Sequence, residues 1–395
     1  MTIWNEYDKL KTVFIGKRFS EEICRHKWKN ILKKSELDSM IRLNNETNED
    51  LQKIEDFLIT ENVKVYRPNL EKYWDIVENY NSSIIDPGSC RDWCFAYGDL
   101  LIINQLSFPQ RNFEYLFWED AFIELEEQGK TVLQTFVSTI NSEEYDTSLK
   151  KFDQFASNRK YYEDVFLDLH EYSKKISKNG QISTNPYRNT IDSTEYIISN
   201  NAYPLYDKQL YLYNADETFK KKHLIHSASY FKHNNLIFGS PQGTFAGRRM
   251  FEKIIKGFYP KTKFYYESNI EHIDGSQTIV DKDLTMVADD DREIVKHIKP
   301  LIVENFKEKM PITSNLISDN LEDYFANLKG YDQRVDFDLN ALTISPKKII
   351  GGFFDIEKIK FLETNDIEVI NIPLRHRWVL DGGIHCYTLD IDRYE

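Results

Sequence analysis

Short apolar strands and amphipathic helices alternate along most of this 395-residue chain, and this alternation constrains its fold more than any other feature. The pattern predicts strands at residues 11–17 and 100–104. It predicts helices at 113–127 and 247–256, where apolar residues recur at helical spacing. No Pro-, Gly- or Ser-rich linker and no low-complexity run divides the chain. Alternating strands and helices without a linker favour one α/β domain.

Several other boundaries follow from the same pattern. Asn48 is predicted to cap a helix that runs to about residue 61, and residues 355–363 are predicted to form another. Residues 291–309 are predicted to form a long helix that Pro300 kinks or splits. Further strands are predicted at 63–66, 131–136, 209–213, 235–238, 263–266, 341–345, 348–351, 368–372 and 387–392.

The region from about residue 140 to 205 interrupts this alternation. It is polar, rich in Tyr, Asn, Ser and Lys, and weakly periodic, with one helix predicted near 161–174. We therefore interpret residues 1–395 as a single domain in which 140–205 is either an insertion or a diverged module.

Charge and hydropathy exclude some classes of partner. The formal net charge of −13 argues against nucleic acid, because an acidic surface repels phosphates. No window approaches 18 consecutive apolar residues, so no membrane-spanning helix is expected. The N-terminal MTIWNEYDKL lacks the basic and apolar segments of a signal peptide. These features predict a cytoplasmic protein with no membrane partner.

The sequence predicts no metal and no cofactor. Four cysteines are too few for a disulfide scaffold, and most are expected to be buried as small apolar residues. Cys90 and Cys94 have no second Cys or His pair nearby that would complete a zinc site. The Gly-rich GSPQGTFAG (239–247) lacks the Lys-Ser/Thr pair of a phosphate-binding loop.

One candidate nucleophile is Cys386, in the segment DGGIHCYT (381–388). Two adjacent glycines permit a tight turn that could hold the thiol at the mouth of a site. A free thiol has a pKa of about 8.5, so it must be activated to attack at neutral pH. The alternative interpretation is a Gly-Gly turn that leads into a strand with a buried cysteine.

Two other segments carry residues suited to acid/base work or to binding a cation. In EHIDG (271–275), His272 could transfer protons near neutral pH, and Asp274 would lie on the same face if the segment is extended. Asp92 lies on a loop that leads towards a strand, where a carboxylate suits a cationic ligand. Each segment taken alone is better explained as a turn.

Taken in order, these segments resemble the amidinotransferase family, which includes glycine amidinotransferase and inosamine-phosphate amidinotransferase. WNEYDKLKTVFIGKR resembles the family's opening strand, and CRDWCFAYGDLLI with FEYLFWEDAF resembles its PRD…GN strand and FEYRAYR helix. EHIDGSQTIV resembles its MHIDATF segment, and DGGIHCYTLDIDR resembles its GGGFHC terminus. The resemblance covers residues 1–125 and 225–395.

The resemblance implies a fold, a reaction and a set of roles. The implied fold is an α/β, five-bladed propeller of ββαβ modules, as in the pentein superfamily. The implied reaction transfers an amidino group from L-arginine to an amine acceptor through an amidino-cysteine, releasing ornithine. Cys386 matches the family nucleophile and His272 its acid/base, while Asp92 and Asp274 match the carboxylates that hold the guanidinium. Family members are often dimers, so a homodimer is an assembly that the resemblance allows.

One departure from the family pattern concerns the histidine relay. The family orients its histidine with an aspartate in an FDAAD-type segment, but the matching LIHSASY (224–230) contains no Asp. The expected position falls near His226 or Ser227, which makes His226 a candidate for the relay. Two alternatives remain open from the sequence: an arginine or guanidine hydrolase on the same fold, and a non-catalytic protein that binds a guanidino compound.

Overall fold

The structure is a computed structural model of the whole chain. It describes residues 2–30, 34–80, 87–104, 106, 111, 113–135, 225–240, 245–266, 273–288, 292–303, 308–309, 334–335, 337–353, 356–377 and 382–394. The region 140–205, the predicted helix at 161–174 and the predicted strand at 209–213 lie outside these residues.

The described strands form five three-stranded sheets of one pattern and one two-stranded pair. In each three-stranded sheet the middle strand pairs antiparallel with one neighbour and parallel with the other. The sheets are ordered β17-β1-β2, β3-β4-β5, β6-β7-β8, β9-β10-β11 and β14-β15-β16. The strands are β1 Leu10–Ile15, β2 Lys64–Tyr66, β3 Cys94–Tyr97, β4 Leu100–Ile103, β5 Thr131–Gln134, β6 Tyr230–His233, β7 Leu236–Gly239, β8 Lys263–Tyr266, β9 Gln277–Asp281, β10 Leu284–Val287, β11 Lys299–Ile302, β12 Glu308–Lys309, β13 Arg334–Val335, β14 Leu342–Ser345, β15 Lys348–Gly351, β16 Glu368–Asn371 and β17 Thr388–Arg393.

Helices connect the parallel strands, because a parallel pair needs a crossover. The α-helices are α1 Glu21–Trp28, α2 Lys34–Thr60, α3 Leu70–Tyr80, α4 Glu119–Glu127, α5 Phe245–Phe258, α6 Ile356–Thr364 and α7 Ile384–Tyr387. Four sheets have an α-helix between their second and third strands, and the β9-β10-β11 sheet has only the 3-10 turn Glu293–Lys296 there. The alternation predicted from the sequence is confirmed.

Two-residue loops join the antiparallel strands of four sheets, at 98–99, 234–235, 282–283 and 346–347. Three of these loops contain a residue with positive φ: Gly98 at 62°, Asn234 at 55° and Lys347 at 60°. Positive φ gives such loops the twist that the flanking strands require. The remaining antiparallel pair, β17 with β1, joins the two ends of the chain, with Leu10 opposite Arg393.

Two predicted helices were wrong in their extent or type. Helix α2 begins at Lys34, so Asn48 is not a cap; its side chain instead accepts from Arg18 N at 2.8 Å and donates to Arg18 O at 3.1 Å. Residues 291–309 do not form a long helix. Pro300 lies in edge strand β11, where its missing N–H removes no bond from the neighbouring strand.

A short helical turn precedes the first strand of each three-stranded sheet, with no more than two residues between them. We call these five segments the site turns: Cys90–Asp92, Ser227–Ser229, Ile273–Gly275, Phe337–Leu339 and Ile384–Tyr387. Each sheet also contacts the next, through β17 and β3, β3 and the turn before β6, β6 and the turn before β9, β9 and β14, and β14 and β1. The five sheets therefore follow one another in a closed sequence of contacts.

Apolar side chains fill the space between neighbouring elements. Phe14 of β1 stacks on Trp118 with ring centroids 4.5 Å apart, and Phe122 of α4 packs against the ring of Phe14. Elsewhere Ile350 of β15 packs with Val13 of β1 in a second cluster. None of the helices that the structure describes is both long and apolar enough to cross a bilayer.

Candidate active site

The site turns bring together residues that are far apart in sequence. The turn at Ile384–Tyr387 contacts Cys90–Asp92, and Cys90–Asp92 contacts Ser227–Ser229. That third turn contacts Ile273–Gly275, which in turn contacts Phe337–Leu339. Each turn is separated from the strand that follows it by no more than two residues, so the sheets fix its position. Cys386, Asp92 and Asp274 all lie on these turns and therefore converge.

Cys386 is buried, with 6% of its surface exposed, and its sulfur has two polar neighbours. The thiol donates to Asp274 Oδ2 at 3.3 Å, and Sγ accepts from Asn340 Nδ2 at 3.0 Å. The thiol is therefore covered, in contrast to the exposed position expected from the sequence. It also lies in a helical turn, since Ile384–Tyr387 forms one turn before β17.

The surroundings of Cys386 favour its neutral thiol in the resting protein. Burial raises the pKa of Cys386 well above its ordinary value, and the carboxylates of Asp274 and Asp92 raise it further. The hydrogen bond from Asn340 acts in the opposite direction. A positive charge beside the two carboxylates would lower this pKa.

Asp274 binds two neighbours through one carboxylate oxygen. Its Oδ2 lies 3.2 Å from His385 Nδ1 and also accepts from the Cys386 thiol. On the other side of the imidazole, His385 Nε2 lies 3.8 Å from Glu6 Oε2. Asp274 lies in a 3-10 turn and not in an extended segment, so its orientation comes from this turn and these contacts.

Asp92 is held by a partly buried arginine. Arg111 Nη1 donates to Asp92 Oδ2, and its Nε and Nη2 form a bidentate pair with Glu114 at 2.7 and 2.8 Å. The same Nη2 donates to the carbonyl oxygen of Ser89 at 2.8 Å. Asp92 Oδ1 is buried and has no hydrogen-bond partner within the described part of the chain. One carboxylate oxygen is thus fixed by Arg111, and the other has no hydrogen-bond partner among the described residues.

A group of buried charges lies against the nucleophile turn; we call Glu6, Arg91, Lys232, Asp390 and Arg393 the central ion cluster. Lys232 Nζ lies 3.0 Å from Glu6 Oε1 and 3.1 Å from Asp390 Oδ2. Burial opposes the charge of Asp390, but Lys232, Arg393 and Arg91 together hold its pKa well below the usual range. Arg91 Nε also donates to the carbonyls of His385 and Thr388, at 3.0 and 2.9 Å. The cluster therefore anchors the residues on both sides of Cys386.

The structure describes only one of the two predicted histidines. His272 lies outside the described residues, one position before the turn that carries Asp274. His226 is buried and immediately precedes the Ser227–Ser229 turn, beside the turns of Asp92 and Asp274. Ser227 accepts from Asn104 Nδ2 at 2.8 Å, so this turn is tied to β4. The relay role of His226 stays a prediction.

Four site residues were missed from the sequence: Asn340, His385, Arg111 and Glu114. His385 stands next to the predicted nucleophile, and Arg111 and Glu114 have the i,i+3 spacing of an ion pair. Asn340 had no comparable signal, because a lone Asn before a strand is an ordinary turn residue. Among the described residues no three His, Cys, Asp or Glu side chains are grouped so as to hold a metal ion.

Solved structures with similar folds include two amidinotransferases. The inosamine-phosphate amidinotransferase of Streptomyces griseus aligns with a TM-score of 0.60 and 15% identity over 100% of this chain and 97% of its own. An amidinotransferase of the saxitoxin biosynthetic pathway from Microseira wollei aligns with a TM-score of 0.59 and 14% identity, over 100% and 98%.

This chain shares its fold with these two amidinotransferases. DDAH from Pseudomonas aeruginosa, solved with citrulline, shares it with a TM-score of 0.50 and 8% identity over 96% of this chain and 99% of its own. No family model and no curated protein sequence matches the chain. The α/β architecture inferred from the sequence is confirmed over the whole alignment with the amidinotransferases.

Proposed function

We propose that the protein is an amidinotransferase that moves an amidino group from L-arginine to an amine acceptor and releases ornithine. The observation that carries the proposal is the environment of the buried Cys386 thiol. It donates a hydrogen bond to Asp274, and burial and the charges of Asp274 and Asp92 raise its pKa. Paired carboxylates beside a nucleophile are suited to a guanidinium, which is planar, cationic and rich in N–H donors. The order of the sequence motifs and the shared fold support the same reaction.

Asp92 and Asp274 would hold the guanidinium group of the donor. Asp92 offers its Oδ1, since Oδ2 is occupied by Arg111. Asp274 would offer its carboxylate as the Cys386 thiol gives up its proton. Charge-assisted hydrogen bonds of this kind are short and directional, so they would fix the guanidinium carbon against the sulfur.

The substrate would activate the nucleophile by its own charge. In the resting site two carboxylates raise the pKa of the Cys386 thiol. A bound guanidinium neutralises that negative field and places a cation near the sulfur, so the thiol pKa falls. The nucleophile thus becomes reactive only when the donor is present, which limits side reactions of a free thiolate.

The reaction would run in two balanced halves. The thiol proton passes to His272 and the thiolate forms a bond to the guanidinium carbon; His272 then protonates the leaving nitrogen, the C–N bond breaks, and ornithine departs. In the second half the acceptor amine attacks the amidino carbon and gives a proton to His272. The S–C bond breaks, and the regenerated thiolate takes that proton back.

The fold would place this chemistry at the centre of a five-bladed propeller. Five sheets share one strand pattern, and each contacts the next until β14 meets β1. The site turns stand before the first strands and contact one another. We infer that the five sheets are the blades, and that the site turns form the inner surface where the donor binds.

Hydrolysis is the alternative reaction on the same residues. Attack of water on the amidino adduct would release urea. If ammonia left in place of ornithine in the first half, water would instead release citrulline, the compound with which DDAH, a protein of the same fold, was solved. Exclusion of water decides between the two outcomes. For either reaction, we propose that the substrates are small molecules and that the protein acts in the cytoplasm. It would bind no nucleic acid and would be a monomer or a homodimer.

Product analysis separates these functions. The purified protein is incubated with arginine, with and without a panel of primary amines, and ornithine, citrulline and urea are measured. Transfer predicts ornithine release that depends on an amine, and Cys386→Ala should abolish it. Turnover without an amine would indicate a hydrolase. Arginine binding without any product, retained in Cys386→Ala, would indicate a non-catalytic binding protein.

A further inference from the structure

Asn340 contacts Cys386 at two points, although no sequence motif marked it. Its Oδ1 accepts from Cys386 N at 2.9 Å, and its Nδ2 donates to Cys386 Sγ at 3.0 Å. The same Nδ2 donates to the backbone oxygen of Asp274 at 3.1 Å. One buried side chain therefore bridges the nucleophile turn and the turn that carries Asp274.

The orientation of this amide follows from its partners. A backbone N–H can only donate, so the atom that faces Cys386 N must be the amide oxygen. The NH2 group must then face the sulfur and the carbonyl of Asp274, both of which can accept. A neutral donor aimed at Sγ stabilises a thiolate more than a thiol, because the hydrogen bond strengthens with negative charge.

The surroundings of Asn340 hold it in place. Asp338, two residues earlier, binds Arg377 Nη1 at 2.8 Å and Lys358 Nζ at 2.5 Å, and all three side chains are buried. A Cβ atom on Gly383 would lie 2.6 Å from Asn340 Cβ and 2.7 Å from its Oδ1. Glycine at 383 therefore lets the amide approach the nucleophile turn closely.

We propose that Asn340 is a further catalytic residue, which positions Cys386 and stabilises its thiolate by donating a hydrogen bond to Sγ. This role rests on the proposed function of Cys386 as nucleophile. The thiolate exists twice in each cycle: when it attacks the guanidinium carbon, and when the acceptor amine expels it from the amidino adduct. The Nδ2 donor serves both steps, and no atom or proton is transferred to Asn340.

The test measures the reactivity of Cys386 without any substrate. Iodoacetamide alkylates the folded protein at mildly alkaline pH, and peptide mass spectrometry follows modification of Cys386. Asn340→Asp keeps the acceptor for Cys386 N but removes the donor to Sγ, and Asn340→Ala removes both. Loss of a hydrogen bond to a charged group should raise the thiol pKa and so lower the thiolate fraction. The alkylation rate should fall by about 3–10-fold, because the greater nucleophilicity of the remaining thiolate offsets part of that loss.

A matched control separates this role from a general effect on folding. Asn371→Ala removes an amide at the end of β16, whose hydrogen bonds at 2.9 and 3.0 Å are to the backbone of Phe353 and not to Cys386. The control should alkylate at the wild-type rate. The melting temperature shows which Asn340 variants are folded. If Cys386 in a folded Asn340 variant is alkylated at the wild-type rate, the proposal is overturned. Since no arginine is used, this result is independent of the reaction that the enzyme catalyses.

Discussion

The Sγ atom of Cys386 lies 3.3 Å from Oδ2 of Asp274, so the nucleophile and a carboxylate proposed to bind the substrate share a hydrogen bond. This contact has two opposite consequences. It opposes ionisation of the thiol in the resting protein, and it places the thiol where a bound guanidinium would meet it. Substitution of Asp274 should therefore change thiol reactivity and turnover in opposite directions.

Asp274→Asn should make Cys386 more reactive and the enzyme less active. Removal of one adjacent negative charge lowers the thiol pKa, so alkylation by iodoacetamide should be about 3–30-fold faster. Loss of a charged ligand for the donor should lower kcat/KM by about 100-fold. Alkylation rates and ornithine release, measured on the same preparation, check both directions. Parallel decreases in both would show that Asp274 does not oppose ionisation of the thiol.

Arg111→Met should destabilise the protein strongly. Its guanidinium pairs with the buried carboxylates of Asp92 and Glu114, and its removal leaves them without this countercharge. Breaking a buried pair from one side costs about 3–5 kcal/mol of unfolding free energy, which urea titration measures. Among kinetic constants, KM for the donor should rise, because Asp92 loses its orientation.

Arg25→Met provides the matched control for this substitution. Arg25 pairs with Glu21 four residues away on the exposed side of α1. Such exposed pairs contribute little to stability because water screens them, so the control should remain near wild-type stability. Equal losses in the two variants would mean that the pairing around Asp92 adds nothing specific.

Asp390→Asn should change how stability depends on pH. The folded-state pKa of Asp390 lies well below the usual range: burial would raise it, but Lys232, Arg393 and Arg91 outweigh that effect. Its charge therefore stabilises the fold above the unfolded pKa of about 4, and this contribution is lost as the pH falls towards the folded pKa. The variant should be about 3 kcal/mol less stable than wild type near pH 7, and the gap should narrow below about pH 4.

Urea titrations at several pH values test this dependence. Asp56→Asn changes the same functional group on the exposed face of α2 and should shift stability by less than about 0.5 kcal/mol. A gap between wild type and Asp390→Asn that stays constant into acid would contradict a depressed pKa for Asp390.

The local fold was largely readable from the sequence where periodicity and turn chemistry agreed. Strand β8 has the predicted bounds, and α5 extends the predicted helix by two residues at each end. The long helix expected around Pro300 failed, because helical spacing in 291–309 also fits a short turn followed by an edge strand. The prediction for Asn48 was wrong for a similar reason. Its side chain can cap a helix, but here it forms hydrogen bonds with the backbone of Arg18 from a position inside α2.

The candidate site was predictable only in part. Cys386, Asp92 and Asp274 stood out through their motifs, and their convergence follows from turns that each precede a strand. Asn340, Arg111 and Glu114 act through contacts across the fold, which spacing along the chain does not encode. The central ion cluster was hidden for the same reason, since Glu6, Lys232 and Asp390 meet only when the two ends of the chain pair as β1 and β17.

The most direct test of the account is the intact mass of the protein after incubation with arginine alone. The account predicts one amidino group per chain, located on Cys386 by peptide mapping, together with one equivalent of ornithine. Cys386→Ala should show neither. Two results would contradict the assignment of Cys386 as the nucleophile. One is release of ornithine or citrulline by Cys386→Ala at the wild-type rate, and the other is an adduct on a different residue.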